Sequence, residues 1–570
     1  MNRIVLLIII GMVFGVLNGL AQPAYKQHVV NYTQVHKNPK DLLPLKDLSG
    51  EIAVVVSDKA RFQSFVNACK KYAKVQVIQA DEVLEQSKYY KTLLVLLSPN
   101  DPREDWAEKF GYIATRNMKN VVLIDFDEGG SPLVVNDAVA HIQAKSYNEK
   151  DQQQAALTIF GGLASTQGVK TKQTRIQYFN EEFSGINRKA MESEIDRIAS
   201  EAIREKATPG LVVMVIKNGQ VVFEKAYGYH TYENKRPTHT SDIFDLASIS
   251  KIVGTTPVVM HLEEQGVIKL DDPLKKYIYE SENLEIGNTQ LRTILLHEAG
   301  FIPYIPFYRD LNPNDVSRFC TSSHQLKMAD SSFLINGYYQ KHMWPKMLEA
   351  PLKTQGKYVY SDISLYVMQE VVERMKSKRL DVLASDFLFE PMGMFKTGYL
   401  PRERFSEKDI VPTENDTSFR KVLLKGYVHD QGAAMAGGVA GHAGLFSTAG
   451  DLAMYGQMLL NRGEYGGKRF FKAETVDKYS SKQSSVSRRG LGFDRHDPNP
   501  ELEYPSKMSN ESVYGHTGYT GTCIWIDPQN QLVYIFLSNR VHPQVSTKIL
   551  ELNTRSRIQD AIYKNIQSNH

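Results

Sequence analysis

The feature that most constrains the fold is a change of hydrophobic pattern close to residue 187. Before that point, apolar runs of strand length alternate with amphipathic segments of helical period; the runs cover residues 52–56, 75–78, 93–97 and 121–124. Apolar strands that alternate with helices form parallel sheets covered on both faces. We therefore predict an α/β domain over residues 49–165, a parallel sheet in a three-layer sandwich, with a leader at 22–48 and a linker at 166–186.

A different order of elements follows the change. A helical pattern at 187–206 leads into two β-branched runs separated by Asn218-Gly219, which is a strong signal for a tight hairpin. A long helical and loop-rich stretch comes next, and strand patterns return only near the C-terminus, before a closing helix at 545–566. This order predicts an α+β domain over 187–568, with one antiparallel sheet, helices on both faces and an all-helical insertion.

Composition excludes several classes of function. The chain has 570 residues and a net charge of +4, from 68 basic and 64 acidic residues, which gives no argument for a nucleic-acid partner. The three cysteines, Cys69, Cys320 and Cys523, are far apart and show no metal-ligand spacing. We expect a globular protein of two or three domains that uses no metal and no other cofactor.

The N-terminus has the composition of a secretory signal. Arg3 precedes an apolar run at 4–17, and Gly19-Leu20-Ala21 places small residues at the −3 and −1 positions of a cleavage site. This pattern predicts a signal peptide over residues 1–21, export across the inner membrane to the periplasm, and no stable membrane span after cleavage. An uncleaved anchor is the alternative, although the run is short for a span.

Ser248 and Lys251 form a Ser-x-x-Lys sequence at the predicted start of a helix. Residues three apart share a helix face, so the lysine amine can reach the serine hydroxyl and activate it as a nucleophile. The positive end of the helix dipole disfavours a further positive charge, which helps to keep Lys251 neutral. A second Ser-x-x-Lys, Ser418 to Lys421, lies in a polar stretch and is interpreted as a solvated loop.

Two further motifs follow in order: Tyr360-Ser361-Asp362 before an apolar helix pattern, and Gly515-His-Thr-Gly-Tyr519 near the C-terminus. Together with Ser248-x-x-Lys251, they resemble the serine β-lactamase and penicillin-binding-protein superfamily over about residues 190 to 565. The chain is most similar to the class C-like esterases, peptidases and amidases of that superfamily.

The resemblance implies an acyl-transfer site with a role for each motif. Ser248 would attack a carbonyl and form an acyl-enzyme, Lys251 would accept its proton, and Tyr360 would relay a proton to the leaving group. The backbone N–H groups of Ser248 and Tyr519 would form the oxyanion hole. The remaining residues of the third motif are expected to border the substrate: His516, as a further catalytic residue, Thr517 and Gly518. A packed aromatic residue is the structural alternative for Tyr360.

Two departures from the family pattern affect the expected substrate. Asp362 replaces an asparagine, and it would either draw Lys251 towards its charged form or bind a substrate amine. His516 replaces a lysine that holds the carboxylate of β-lactams, and a neutral imidazole holds an anion poorly. Arg540 is a candidate to bind a substrate carboxylate, with a buried ion pair as the alternative. The two departures, Asp362 and His516, favour an esterase or amidase over an efficient penicillin hydrolase.

The first domain has a resemblance of its own. The segment from Gln154 to Leu163, followed by Gly168, is similar to the end of the C-terminal domain of family 3 glycoside hydrolases. The barrel domain that carries the catalytic aspartate of that family is missing, so we expect no glycosidase activity from residues 49–165.

The two resemblances together favour a secreted serine hydrolase that cleaves amide or ester bonds in peptidoglycan fragments, similar to an N-acetylmuramoyl-L-alanine amidase. A D-alanyl-D-alanine carboxypeptidase, a β-lactamase or a broad carboxylesterase is the alternative within the enzymes. A catalytically silent protein that binds the cell wall is the alternative outside them.

Overall fold

The computed structural model describes residues 31–48, 50–127, 133–179 and 185–566. The predicted signal peptide at residues 1–21 lies outside the described residues. Within the described ranges, no helix combines the length and the apolar character that crossing a bilayer requires.

The N-terminal part of the chain is built around a six-stranded sheet of order β1-β6-β5-β4-β2-β3. Its elements are β1 (Gln34–Lys37), β2 (Ile52–Val56), α1 (Gln63–Cys69), β3 (Val75–Gln79), α2 (Val83–Gln86), β4 (Thr92–Leu97), α3 (Arg103–Arg116), β5 (Asn120–Asp125), β6 (Val139–Gln143) and α4 (Glu149–Phe160). Strands β2 to β6 run parallel, but β1 pairs antiparallel with β6. The prediction of an all-parallel sheet was therefore wrong at one edge, because the leader contributes a strand.

Helices cover this sheet as its buried strands require. Every residue of β2 and β4 is buried, so neither face of these strands is open to solvent. Helix α3 packs Trp106, Phe110 and Ile113 into one apolar cluster with the strands. Helices α1 and α4 are joined where the backbone N–H of Phe65 donates to Gln152 Oε1 at 3.0 Å.

The segment expected to be a linker packs closely against the first sheet. Arg175 is buried and donates through Nη1 to the carbonyl oxygens of Leu45 and Phe160, both at 2.7 Å. Tyr72 donates its hydroxyl hydrogen to Ile176 O at 2.8 Å. These buried bonds fix the direction in which the chain leaves the first sheet.

The rest of the chain contains a second six-stranded sheet, of order β18-β19-β20-β21-β7-β8. The elements up to residue 392 are α5 (Arg188–Arg204), β7 (Gly210–Lys217), β8 (Gln220–Gly228), β9 (Phe244–Asp245), α6 (Thr256–Glu264), α7 (Leu291–Leu295), β10 (Val316–Ser317), β11 (Leu326–Ala329), β12 (Ser332–Leu334), α8 (Trp344–Leu348), α9 (Ile363–Lys376), α10 (Leu380–Ala384) and α11 (Glu390–Met392). The later elements are β13 (Glu414–Asp416), β14 (Val422–Leu424), α12 (Gln431–Met435), β15 (Phe446–Ser447), α13 (Ala449–Leu460), β16 (Glu464–Tyr465), β17 (Lys468–Arg469), α14 (Ala473–Ser480), β18 (Asp494–Arg495), β19 (Tyr514–Thr517), β20 (Cys523–Asp527), β21 (Leu532–Ser538), α15 (Lys548–Glu551) and α16 (Thr554–Lys564).

This second sheet is antiparallel throughout, and its strands come from both ends of the region, as predicted. The hairpin of β7 and β8 turns at Asn218 and Gly219, whose φ values of 54° and 74° suit a tight turn. Helices α5 and α16 share a core with one face. On α13, a Cβ at Gly456 would lie 2.6 Å from Val533 Cγ1, so this helix also packs closely against β21.

Two details of the prediction were wrong. The insertion is not all helical, because β10 to β12 form a three-stranded sheet and β13 pairs with β14. The closing helix predicted at 545–566 is two helices, since Asn553 between α15 and α16 adopts a left-handed conformation with φ of 47°. A single left-handed residue interrupts the helical hydrogen-bond ladder.

Candidate active site

Ser248 lies in the 3-10 turn Ala247–Ile249, which follows β9. Lys251 opens a π-helical turn, Lys251–Thr255, that leads into α6. Lys251 Nζ donates a hydrogen bond to Ser248 Oγ at 3.1 Å. The two side chains therefore meet as the sequence predicted. Ser248 lies in a 3-10 turn, which is tighter than an α-helix, and Lys251 lies in a π-helical turn, which is wider.

Lys251 is fully buried and has two further hydrogen bonds. Nζ donates to Asp362 Oδ1 at 2.8 Å and to the carbonyl oxygen of His442 at 3.2 Å. Burial by itself lowers the pKa of Lys251, but the Asp362 carboxylate and the Tyr360 phenol outweigh burial and raise the pKa above its ordinary value. The expectation that the helix start keeps Lys251 neutral was wrong, because a carboxylate in direct contact outweighs a helix dipole.

The turn after β19 is fastened to the turn that carries Ser248. Thr520 Oγ1 donates to Asp245 O at 2.8 Å, and Thr522 Oγ1 donates to Leu246 O at 3.1 Å. Gly518 lies in the same turn, and a Cβ on it would approach Leu246 O to 2.4 Å. Only glycine allows the two turns to approach this closely.

Ser248 and Tyr519 lie on these two turns, and both residues line one cavity. Across the described part of the chain, neither the N–H of Ser248 nor the N–H of Tyr519 donates to a protein acceptor. Two unpaired donors beside a serine hydroxyl form the arrangement that stabilises an oxyanion. The oxyanion hole at Ser248 and Tyr519 stays a prediction, with both of its donors unpaired among the described residues.

Tyr360 lies between the lysine and two histidines. Lys251 Nζ is 4.8 Å from the Tyr360 ring centroid, and the ring centroids of His297 and His516 are 4.8 Å and 5.9 Å from that of Tyr360. Ser361 fixes the turn, because its N–H donates to His297 Nδ1 at 3.2 Å. The motif therefore presents Tyr360 beside the ammonium group, directly before α9.

His516 lies behind Tyr360 and is buried. Burial, followed by the nearby charge of Arg489, lowers the pKa of His516 to about 3. Arg489 Nη2 lies 3.5 Å from His516 Nε2, and His516 Nδ1 is 2.7 Å from Thr517 O. With Nδ1 donating to the carbonyl, the neutral ring accepts from Arg489 through Nε2. Sequence reasoning missed Arg489, since no motif marks it.

Arg540 supports Tyr519. Its Nε donates to Tyr519 O at 2.7 Å, its Nη1 donates to Ser546 O at 2.7 Å, and its guanidinium lies 4.9 Å from the Tyr519 ring centroid. Neither alternative from the sequence, a substrate carboxylate or an ion pair, describes these contacts. The geometry makes Arg540 a support for Tyr519, the second predicted oxyanion donor.

A cavity of about 420 Å³ opens beside Ser248. Tyr360, Asp362 and Tyr519 line it, as do the following residues that the sequence analysis did not assign to the site: Tyr304, Tyr308, Tyr366, Glu414, His429, Asp430 and His442. Asp430 was hard to recognise because it also caps α12, where its side chain accepts from Ala433 N. An N-cap aspartate gives no sign of a binding role in a sequence.

Comparisons with known proteins agree with this geometry. Residues 195–556 match the family model described as Beta-lactamase. A protein of Escherichia coli (strain K12) named "Putative D-alanyl-D-alanine carboxypeptidase" is 29% identical over 381 residues, covering 62% of this chain and 83% of that protein. The N-acetylmuramyl-L-alanine amidase of Bacillus subtilis (strain 168) is 30% identical over 363 residues, covering 59% and 78%.

Among solved structures, "EstCE1, a hydrolase with promiscuous acyltransferase activity" has the same fold over 66% of this chain and 99% of its own, with a TM-score of 0.50 and 19% sequence identity. The family match spans more than half of the chain and contains all three motifs. The chain belongs to the Beta-lactamase family and is a serine hydrolase.

Proposed function

We propose that this protein cleaves amide or ester bonds in peptidoglycan fragments through an acyl-enzyme on Ser248, in the manner of an N-acetylmuramoyl-L-alanine amidase. The observation that carries the proposal is the 3.1 Å contact between Lys251 Nζ and Ser248 Oγ beside two unpaired backbone N–H groups. The substrate class rests on the names of the relatives, which are cell-wall enzymes.

The chemistry follows from the contacts of Lys251. Once Lys251 has released a proton to solvent, its amine accepts the proton of Ser248 as Oγ attacks the carbonyl carbon. The N–H groups of Ser248 and Tyr519 bind the oxyanion. Tyr360 protonates the leaving group and regains a proton from Lys251. Water then releases the acyl group by the same steps in reverse.

A D-alanyl-D-alanine carboxypeptidase is the second candidate, since a relative carries that name. Its substrate ends in a carboxylate, which needs a cation in reach. Among the described residues that line the cavity there is no lysine or arginine, and Arg489 is buried behind His516. This distribution of charge favours the amidase or an esterase. Catalysis of either kind would exclude the silent cell-wall-binding protein.

We further propose that the protein is exported to the periplasm on the signal sequence at residues 1–21, and that the first sheet has a supporting role. In support of this role, Lys71 forms an ion pair with Glu224 of β8 at 3.0 Å, and Tyr72 O lies 3.2 Å from the position of a Cβ on Gly393. The first domain thus contacts the hydrolase at several separate points without reaching the cavity of Ser248.

The test is covalent labelling of the purified protein with a fluorophosphonate and with a penicillin, followed by mass spectrometry of the modified peptide. We expect an adduct on Ser248 with the fluorophosphonate and loss of that adduct in Ser248→Ala. Ser418→Ala is the matched control, because Ser418 begins the second Ser-x-x-Lys of the chain and lies in a turn beside Asp416. Absence of any adduct on Ser248 would refute the enzyme proposal.

The substrate is tested by product analysis with N-acetylmuramoyl peptides and with peptides that end in D-alanyl-D-alanine. Release of the intact peptide from the muramoyl group supports the amidase. Release of free D-alanine alone would replace it with the carboxypeptidase.

A further inference from the structure

The cavity beside Ser248 has an uneven distribution of charge. Four carboxylates line it, those of Asp245, Asp362, Glu414 and Asp430, and no lysine or arginine does so within the described residues. Lys251 is buried beside the cavity and donates to Asp362 Oδ1 at 2.8 Å. We call the part formed by Asp362, Tyr366, Glu414, Asp430 and His442 the acidic chamber.

Two of the three carboxylates of the chamber, those of Asp362 and Asp430, keep an oxygen atom without a protein partner, whereas Glu414 Oε2 lies 3.2 Å from His429 Nε2. Asp245 is structural, since it accepts from the N–H groups of Ala247 and His429 at 2.8 Å and 2.7 Å. Asp362 and Asp430, in contrast, receive their hydrogen bonds on Oδ1. Within the described residues, no donor binds the Oδ2 atom of either aspartate. Each therefore retains an acceptor for a donor that enters the cavity.

The chamber also holds buried polar atoms that have no partner. The Tyr366 hydroxyl and His442 Nδ1 accept or donate no hydrogen bond among the described residues, although Tyr366 is only 3% exposed and His442 only 2% exposed. Both residues line the cavity, and their ring centroids are 4.3 Å apart. Buried polar groups in proteins are normally paired, so these two indicate a polar ligand that completes them.

The ligand chemistry follows from the geometry. Asp362, Asp430 and His442 each offer one atom, and these atoms lie within 4.8 Å of one another. A group that carries several N–H donors and a positive charge suits two carboxylates and a hydroxyl at this separation. The rings of Tyr304 and Tyr308 form another part of the wall and can face a cation. A metal ion would use the same three residues, and the response to added Zn²⁺ or a chelator distinguishes it from an ammonium group.

We propose that the acidic chamber binds a primary ammonium group of the substrate, so that the enzyme selects acyl groups that carry an unblocked amine. The inference rests on the proposed acyl-enzyme at Ser248, and it moves the preferred substrate of the proposed amidase from N-acetylmuramoyl groups to acyl groups with a free amine. An aminoacyl group or a de-N-acetylated amino sugar has the required chemistry. An N-acetylated group of the same size lacks the charge and would leave the carboxylates unpaired.

The test compares D-alaninamide with N-acetyl-D-alaninamide as protectants of Ser248 against fluorophosphonate labelling. We expect D-alaninamide to protect at a concentration at least about tenfold lower, since one well-placed ion pair accounts for a factor of that size. In Asp430→Asn and in Glu414→Gln the ratio between the two compounds should fall towards one. Asparagine keeps the cap of α12, so Asp430→Asn retains the local fold. Glu390→Gln, an exposed position, is the matched control and should keep the ratio.

Each result has one meaning. Equal protection by the two amides, or a ratio that both chamber variants leave unchanged, would overturn the ammonium site while Ser248 labelling upholds the hydrolase. A ratio that depends on added Zn²⁺ or on a chelator would replace the ammonium site with a metal site. A complete lack of labelling would instead refute the acyl-enzyme on which the inference rests.

Discussion

Asp362 Oδ1 lies 2.8 Å from Lys251 Nζ, and this contact reverses the charge state that the local sequence predicts for the lysine. All three N–H directions of Lys251 are occupied, by Ser248 Oγ, Asp362 Oδ1 and His442 O. Ser248 Oγ thus accepts a hydrogen bond from Lys251, and the Asp362 carboxylate raises the pKa of that lysine. A proton must leave Lys251 before it can accept one from Ser248.

Replacing Asp362 by asparagine tests this arrangement. The neutral amide removes the charge that opposes burial, so the pKa of Lys251 should fall in Asp362→Asn. The neutral amine then forms at lower pH, and the rising limb of kcat/KM against pH should move down by about one to three units. The shift is measured from kcat/KM for the hydrolysis of 4-nitrophenyl acetate at a series of pH values. Asp386→Asn is the control, because Asp386 pairs with Lys378 at 2.6 Å on the surface. A limb that stays in place would show that Asp362 does not set the charge of Lys251.

Gly518→Ala tests the contact between the two turns of the oxyanion hole. The added Cβ would lie 2.1 Å from Thr522 Oγ1 and 2.4 Å from Leu246 O, so the turn must move and carry the N–H of Tyr519 away. We expect kcat to fall by about a hundredfold to a thousandfold, the usual cost of one oxyanion donor. In the control Gly450→Ala, the nearest atom is Thr448 Oγ1 at 3.9 Å, and kcat should change little. Equal losses in both variants would contradict the assignment.

Arg540→Gln separates support of Tyr519 from binding of a substrate carboxylate. Glutamine cannot reach both Tyr519 O and Ser546 O, so the Tyr519 turn loosens. We expect kcat to fall by about tenfold or more with little change in KM, for one lost charge-assisted hydrogen bond. The loss should be equal for 4-nitrophenyl acetate and for the 4-nitrophenyl monoester of succinate. A rise in KM for the succinate ester alone would restore the carboxylate role predicted from the sequence.

The buried His141 of β6 is expected to make the folded protein less stable at acidic pH. Burial lowers the pKa of His141 in the folded protein to about 4, whereas the ordinary value is 6.5. Between these two pH values the unfolded chain therefore binds a proton at His141 that the folded protein does not bind. Protonation of the unfolded state lowers the free energy of unfolding as pH falls from 6.5 towards 4. In His141→Asn, the loss between pH 7 and pH 5 should be smaller by about 2 kcal/mol. Urea unfolding at both pH values measures the free energy of unfolding. An identical decrease in the two proteins would exclude His141 as a cause.

The sequence predicted the elements that depend on local pattern. The hairpin at Asn218-Gly219 needs left-handed residues at two neighbouring positions, which this dipeptide supplies. The helix at 187–206 was observed as α5, Arg188–Arg204, with Asn187 as its cap. Strand β6 was missed because its sequence, Val-Ala-His-Ile-Gln, shows neither a continuous apolar run nor a clean alternation.

The sequence by itself determined that Ser248 and Lys251 meet, because residues three apart lie within a single turn whatever surrounds them. Only the tertiary structure decided the charge on Lys251 and the character of the cavity. Asp362 lies 111 residues away and the carbonyl of His442 lies 191 residues away. Contacts of that range depend on how whole elements pack, and electrostatic interactions depend on the resulting distances and burial, which no local pattern contains.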